Sequence, residues 1–183
     1  MNGFARFTGH LTTITRHRHR VIAHCAKAGI LWQGLFHDLS KYMPTEFWPG
    51  VRYFNGTHSP TEDERRMLGY SQAWMHHKGR NRHHWEYWTD YSIEEGAYIP
   101  VPMPRRYLAE MLCDRVAASK IYQGKNYEDG HPLAYFLRGN ARLYMHKDTA
   151  DLLESWLRIL AEQGETVAFA HIRKTRKYHE GEN

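Results

Sequence analysis

Hydrophobic positions recur along most of the chain at the spacing of an amphipathic helix. Near the N-terminus, Phe7, Leu11, Ile14, Val21 and Cys25 are separated by three, four or seven residues, which places them on one side of a helix. The strict alternation of apolar and polar residues that marks a half-buried strand is nearly absent. The pattern therefore predicts an all-α protein.

Proline, glycine and capping residues divide this pattern into separate helices. Gly29 is placed to end the first helix, and Ser59-Pro60 followed by Glu62 predicts a capped helix start. Prolines and glycines exclude a long helix from residue 83 to residue 104. The predicted helices cover about 4–27, a segment from 31 that carries LWQGLFHDLSKY, a short segment after 44, 60–77, 104–122 and 148–164.

Length and composition favour one folded domain. The chain has 183 residues, of which 42% are hydrophobic, so it can bury a core and is not of the disordered class. We expect a single domain over residues 1–183, an HD-domain-like bundle of five to seven helices with its core at about 4–163. Residues 165–183, with the basic run RKTRK at 173–177, are predicted to be a C-terminal extension. The aromatic stretch 85–98 is predicted to fold as a lid over the functional site.

Composition also limits location and partners. No apolar run approaches the roughly 20 residues of a membrane span, and none resembles a signal peptide, so we expect a cytoplasmic protein without a membrane partner. Cys25 and Cys113 both lie in helical stretches and are predicted to be buried, reduced thiols. The net charge of +5 permits a small phosphorylated substrate or a nucleic acid as partner without requiring either.

Histidine is the residue type whose number departs from expectation, with 14 in the chain. His10, His17 and His24 recur at intervals of seven and so project from one side of the first helix. His17 lies beside the apolar positions and should face inward. An inward histidine is more often a hydrogen-bonded core residue than a metal ligand, so His17 by itself indicates no site.

Two further positions bring carboxylates toward the interior. His37-Asp38 ends the second helix, which is predicted to run back along the first and to place this pair level with residues 17–24. Asp114 falls on the apolar face of its helix, where a carboxylate costs several kcal/mol unless a cation or strong donors meet it. Its partner is either a metal held with His37 and Asp38 or an arginine. The candidate arginines are Arg115, Arg138 and Arg142.

The segment WMHHKGRNRHHWEYW contains the densest group of histidines and cations. His76-His77 and His83-His84 bracket a turn with two arginines and a lysine. These groups would repel one another unless anions or metals lay among them. The segment therefore predicts further metal ligands next to phosphate-binding cations.

The order His, His-Asp, His-His, Asp along a helical chain resembles the HD superfamily of metal-dependent phosphohydrolases. The segment from His17 to Val21 is similar to that family's first histidine and following valine, GLFHDLSK to its His-Asp motif, and CDRVAASK to its last aspartate-bearing helix. His76-His77 before a turn resembles the HD-GYP branch, although the GYP signature is absent. From about residue 12 to residue 127 the chain also resembles an uncharacterised bacterial and phage family with the motifs HDLSKY-PTEF and HHKGRN-HH.

The resemblance implies an enzyme that hydrolyses a phosphate ester, for which a nucleotide is one candidate. It also implies that the enzyme binds one or two divalent ions of Mn, Fe, Co, Ni or Mg. It implies that Asp38 and Lys41 are catalytic and that Asp38 bridges two ions. The implied metal ligands are His17, His37, Asp38, His76, His77 and Asp114. The alternative ligands are His24, which would replace His17, and His83 and His84 at the second ion. The implied phosphate-binding cations are Lys41, Lys78, Arg80 and Arg82.

Three other functions stay open at this point. A histidine-rich site suits iron, so a di-iron oxygenase of the HD type is one alternative. The basic charge and the interleaving of Arg80 and Arg82 with Trp85 and Trp88 are also compatible with a non-catalytic nucleic-acid-binding module. In the third alternative, the metal serves only to hold the fold together.

Overall fold

The computed structural model describes residues 1–175, and these residues form a helical bundle with one small sheet. The predicted all-α, single-domain class is confirmed. The helices of the described residues are α1 Gly3–Ala28, α2 Leu31–Phe36, α3 Pro44–Tyr53, α4 Pro60–Leu68, α5 Gln72–Lys78, α6 Arg105–Gln123, α7 His131–Arg138 and α8 Lys147–Thr175. Strands β1 Thr89–Ser92 and β2 Ala97–Pro100 pair antiparallel between α5 and α6.

Helix α1 has 26 residues and is capped at both ends. The Asn2 side chain accepts a hydrogen bond from the Ala5 N–H at 2.8 Å, and Gly29 ends the helix with a φ of 75°. The inward side of α1 packs with α6 and α8 in one apolar core. Cys25 and Cys113 meet in this core as buried free thiols, in agreement with the sequence.

Helix α8 extends the core beyond the boundary predicted near residue 163. Gly164 breaks the helical geometry with φ 80° and ψ 170°, as its position in the sequence suggested, but the helix resumes after it. Phe169 and Ile172 are buried in the core, and Glu165 pairs with Lys120 of α6. Residues 165–175 are therefore part of the core rather than an extension, because their apolar side chains cover α1 and α6. Residues 176–183, including the end of the RKTRK run, lie outside the described residues.

The predicted helix 60–77 is two helices. Helix α4 ends at Gly69, whose φ is 80°, and the Ser71 side chain then caps α5 by accepting a hydrogen bond from the Trp74 N–H at 2.9 Å. Pro60 opens α4 as predicted, but the Ser59 hydroxyl pairs with Thr61 instead of capping the helix. The break matters for function because it turns α5 back toward the centre of the bundle.

Two elements after α5 were not predicted, namely helix α7 and the β1–β2 hairpin. The hairpin is held by its ladder and by Tyr91 and Tyr98, whose rings meet edge to face across the strands. Within the stretch predicted as a lid, Ile93 and Tyr98 of the hairpin are 91% and 77% exposed, so these two side chains do not cover a buried site. Trp85 packs instead on Tyr144, at the edge of the core.

Exposed apolar side chains are concentrated on α2. Trp32 and Phe36 are 73% and 66% exposed, and Leu31 and Leu35 lie beside them. All four of these side chains lie on the six-residue helix α2. Among residues 1–175, no helix combines the length and the hydropathy that crossing a bilayer requires.

Candidate metal centre

Three segments bring the first imidazole and carboxylate groups together around Asp38. His17 comes from α1, His37 and Asp38 from the turn after α2, and Asp114 from α6. Asp38 adopts a left-handed conformation with φ 54° and ψ 26°, which is uncommon for a residue with a side chain although aspartate tolerates it best. This turn directs the His37 and Asp38 side chains into the same space.

The first group of potential ligands consists of His17, His37, Asp38 and Asp114, with ligand atoms all within 4.8 Å of one another. His17 Nε2 lies 2.9 Å from Asp114 Oδ1, and His37 Nε2 lies 3.5 Å from the same oxygen. His37 Nε2 is also 3.2 Å from Asp38 Oδ2. The ligand atoms of these four residues are therefore close enough together to coordinate a single metal ion.

The second group consists of Asp38, His77, His83 and His84, again within 4.8 Å of one another. His77 comes from α5, and the two other histidines come from the turn that follows it. Asp38 Oδ1 lies 3.3 Å from His77 Nε2 and 3.4 Å from His83 Nε2. Asp38 is thus shared, with one carboxylate oxygen toward each group.

Carboxylates behind the histidines orient the rings. Glu110 Oε1 accepts a hydrogen bond from His37 Nδ1 at 2.9 Å and lies 3.2 Å from His83 Nδ1. Glu46 Oε2 accepts from His77 Nδ1 at 2.8 Å. With each Nδ1 occupied in this way, the Nε2 atoms of His37, His77 and His83 are left pointing inward. Such carboxylate–histidine pairs are the usual support of a metal-bound imidazole.

The buried Nε2 and carboxylate atoms at the centre fit a metal ion. In hydrogen-bonding geometry, no partner satisfies the Nε2 atoms of His17, His37, His77, His83 and His84 or the two oxygens of Asp38. The close neighbours of these atoms are one another and Asp114, together with Lys41 Nζ, which forms an ion pair with Asp38 Oδ2. Buried polar atoms are normally paired, so a group of unpaired ones calls for an explanation. Two ligands that each lie about 2.1 Å from one ion are about 3.0–3.4 Å apart, and the separations of 2.9–3.5 Å match this range.

The electrostatics of the centre also favour a cation. Burial raises the pKa of Asp38 and Asp114, but the facing histidines outweigh it and hold both pKa values well below the usual range. Burial lowers the pKa of His37, but the neighbouring Asp38, Asp114 and Glu110 raise it well above 6.5. The carboxylates therefore stay ionised and draw positive charge, as protons on imidazole or as a metal.

The structure distinguishes among the histidines named from the sequence. His17 joins the first group, whereas its alternative His24 stacks on Phe169 and has Nδ1 3.3 Å from the Cys113 carbonyl oxygen. His77 joins the second group, whereas His76 points to Glu46 Oε1 at 2.6 Å. Consecutive residues on a helix project about 100° apart, and it is His77 whose Nε2 reaches Asp38, at 3.3 Å. His83 and His84 lie in a turn and both reach the centre.

Of the four cations predicted to bind phosphate, Lys41 is the one in contact with the centre. Its Nζ lies 2.5 Å from Asp38 Oδ2. Arg80 is exposed, and Arg82 donates a hydrogen bond to the Tyr107 hydroxyl at 3.2 Å. Lys78 is half-buried at the end of α5, near Glu86. The predicted phosphate role of these three side chains is therefore not supported by a contact with Asp38.

Sequence reasoning missed Glu110 and Glu46. Glu110 could have been recognised from the sequence, because it precedes Asp114 by four residues and so shares its helix face. Glu46 could not have been recognised in this way, because only the tertiary fold brings α3 against α5. The arginine alternative for Asp114 is wrong, since Asp114 meets His17 and His37. Arg142 pairs instead with Asp151 and Glu154.

Comparison with known proteins assigns the chain to a family. The family model DUF5662 matches residues 6–159, which is most of the chain. The protein belongs to the DUF5662 family. That family is described as one of unknown function, and no curated protein and no solved structure gave a significant match. The residues that DUF5662 matches include every member of the two ligand groups.

Proposed function

We propose that this DUF5662 protein is a metal-dependent hydrolase of phosphate esters that works in the cytoplasm. The observation that carries the proposal is Asp38, whose two oxygens face two groups of unpaired imidazole nitrogens. The likeness of GLFHDLSK and CDRVAASK to HD-superfamily motifs points the same way. The buried free thiols Cys25 and Cys113 suit a reducing compartment.

The first group would hold one divalent ion and the second group another, with Asp38 common to both. A bound divalent ion supplies a Lewis acid and lowers the pKa of coordinated water from 15.7 to about 7. Hydrolysis adds water to phosphorus and breaks the bond to the alcohol oxygen, which leaves with a proton. The products are an alcohol and inorganic phosphate.

The side chains of this site have separate tasks in that reaction. Burial lowers the pKa of Lys41, but the nearby Asp38 and Asp114 raise it above its usual value, so Lys41 stays an ammonium that can bind a phosphate oxygen. Glu110 and Glu46 keep the histidines in place and hold the protons of their Nδ1 atoms. These fixed charges need little rearrangement when negative charge develops on phosphate.

Metal analysis and an activity screen test the proposal. Protein purified without added metal should contain a first-row transition metal, and the stripped protein should regain it from Mn²⁺, Fe²⁺, Co²⁺ or Ni²⁺. The loaded protein should release phosphate from a panel of phosphate monoesters. Asp38→Ala and Asp114→Ala should abolish release, whereas the exposed-residue control Asp148→Ala should not. Phosphate release that persists in both variants would refute the proposed mechanism.

The composition of the second group favours one competing chemistry. It contains three histidines and a single carboxylate, a donor set that suits iron. In that case the site would activate oxygen instead of hydrolysing an ester. Iron-dependent oxygen uptake without phosphate release would decide for oxygen activation.

A further inference from the structure

A cavity adjoins the candidate metal centre on the side of α3, α4 and α5. It has a volume of about 110 Å³, and Lys41 and His77 are among the residues that line it. Both of these residues contact Asp38. A molecule bound in the cavity would therefore contact two side chains that also contact Asp38. This volume is smaller than that of pockets for drug-sized ligands, so the cavity suits a short chain of a few atoms.

His10 contributes an unpaired imidazole to the wall of the cavity. Its side chain is buried, with the residue 6% exposed, and no hydrogen bond satisfies Nδ1. Burial, with a smaller effect from Lys41, lowers the pKa of His10 to about 4, so the ring is neutral near pH 7. A neutral imidazole offers one donor and one acceptor, which suits a hydroxyl group better than a charged one.

The chain makes room for this ring at a cost in helix stability. A Cβ on Gly50 would lie 2.2 Å from His10 Nε2, so only glycine fits against the imidazole. Gly50 lies inside α3, where glycine destabilises a helix relative to alanine. The ring is thus held tightly against the backbone of α3.

Glu64 supplies acceptors on another part of the wall. It is 2% exposed, and its oxygens accept hydrogen bonds from the Ser71 hydroxyl at 2.5 Å and the Gln72 N–H at 3.3 Å. A carboxylate has about four acceptor positions, so two stay free for donors of a ligand. Phe54 and Trp74 add apolar surface between these polar groups.

We propose that this cavity binds the alcohol part of the phosphate ester and selects esters that carry further hydroxyl groups, such as polyol or sugar monophosphates. The inference rests on the proposed function, because it places the phosphate at Lys41 and the centre. Hydroxyl groups match the free acceptors of Glu64 and the neutral ring of His10. With Lys41 as its one cation beside two carboxylates, Glu46 and Glu64, the cavity lining does not suit a polyphosphate.

Two esters with the same carbon count test the selection. Isothermal titration of the metal-free full chain, which does not hydrolyse the esters under the proposed mechanism, would compare sn-glycerol 3-phosphate, which has two free hydroxyl groups, with n-propyl phosphate, which has none. We expect the hydroxylated ester to bind at least about tenfold more tightly, since each net hydrogen bond is worth about 1 kcal/mol. Equal affinities in the wild-type protein would overturn the inference.

Two buried histidines of α1 provide a matched control. His10→Phe should reduce the preference for the hydroxylated ester about fivefold or more, whereas His24→Phe, outside the cavity, should leave it unchanged. Glu64→Gln keeps the shape of the side chain and should also reduce the preference, and it decides the question if His10→Phe does not fold. An unchanged preference in folded variants at both cavity positions would contradict the assignment.

Phosphate release by the same proteins after metal loading separates the two proposals. A retained preference without phosphate release would refute the hydrolase and leave the cavity assignment standing. Phosphate release with equal affinity for both esters would refute the cavity assignment alone.

Discussion

Two regions of α1 each bury a histidine and use it differently. In the region of His17, the imidazole Nε2 lies 2.9 Å from Asp114 Oδ1 and within 4.8 Å of ligand atoms of His37 and Asp38. In the region of His24, seven residues later, the ring stacks on Phe169 with centroids 5.2 Å apart. Burial is the first cause that lowers the pKa of both. Burial of an imidazole therefore does not identify a ligand, whereas convergence with other unpaired donors does.

The largest expected effect comes from the carboxylate that the two ligand groups share. Asp38→Asn removes the charge but keeps the shape, and it should weaken metal binding in both groups by more than about 100-fold, beyond what supporting carboxylates contribute. Competitive titration with a chelating dye measures the affinity. The control Asp148→Asn changes an exposed carboxylate on α8, and equal affinity in the two variants would remove Asp38 from the centre.

The contrast between His17 and His24 can be tested with the same substitution at each position. His17→Phe should weaken the binding of one ion by about 100-fold, because it removes one ligand of the first group. His24→Phe should leave metal affinity unchanged, because its ring contacts the core. Metal content per protein, measured by elemental analysis, checks both. Loss of metal from His24→Phe alone would reverse the assignment of the first-helix ligand.

A smaller effect is expected from a residue that acts through the histidines. Glu110→Gln weakens the hydrogen bonds that hold His37 and His83, and it should reduce metal affinity roughly 10- to 100-fold. The exposed Glu162→Gln serves as the control. If Glu110 has no positioning role, the metal affinity of Glu110→Gln will equal that of the control.

The smallest effect concerns stability and tests the region of His24. Burial lowers the pKa of His24 from 6.5 to about 4, so between these values the unfolded chain binds the proton and the folded chain does not. The contribution of this pKa difference to the free energy of unfolding is therefore fully present above pH 6.5 and is lost as the pH falls toward 4. Between pH 7 and pH 5 the free energy of unfolding should fall by about 2 kcal/mol for this reason. Urea unfolding of metal-free protein should show a smaller loss over this interval for His24→Phe than for the wild type. The same loss in both proteins would contradict the pKa shift.

The sequence predicted those site residues whose side chains follow from position on a single helix. Asp114 was recognisable because a carboxylate on an apolar face needs a partner, and the structure gives it His17 and His37. His76 and His77 could not be told apart without the exact start of α5, which depends on the break at Gly69. Glu46 could not be found because its partner His77 lies 31 residues away on another helix.

By itself the sequence determined the helical class, the end of α1 at Gly29 and the presence of inward-facing histidines and carboxylates, since these follow from helical periodicity and capping. The tertiary structure alone decided that His17 and not His24 faces Asp114, that Asp38 stands between two groups of imidazoles, and that His10 borders a cavity. The reason is physical. Periodicity determines which side of a helix a residue occupies, but packing between distant helices determines what that side meets.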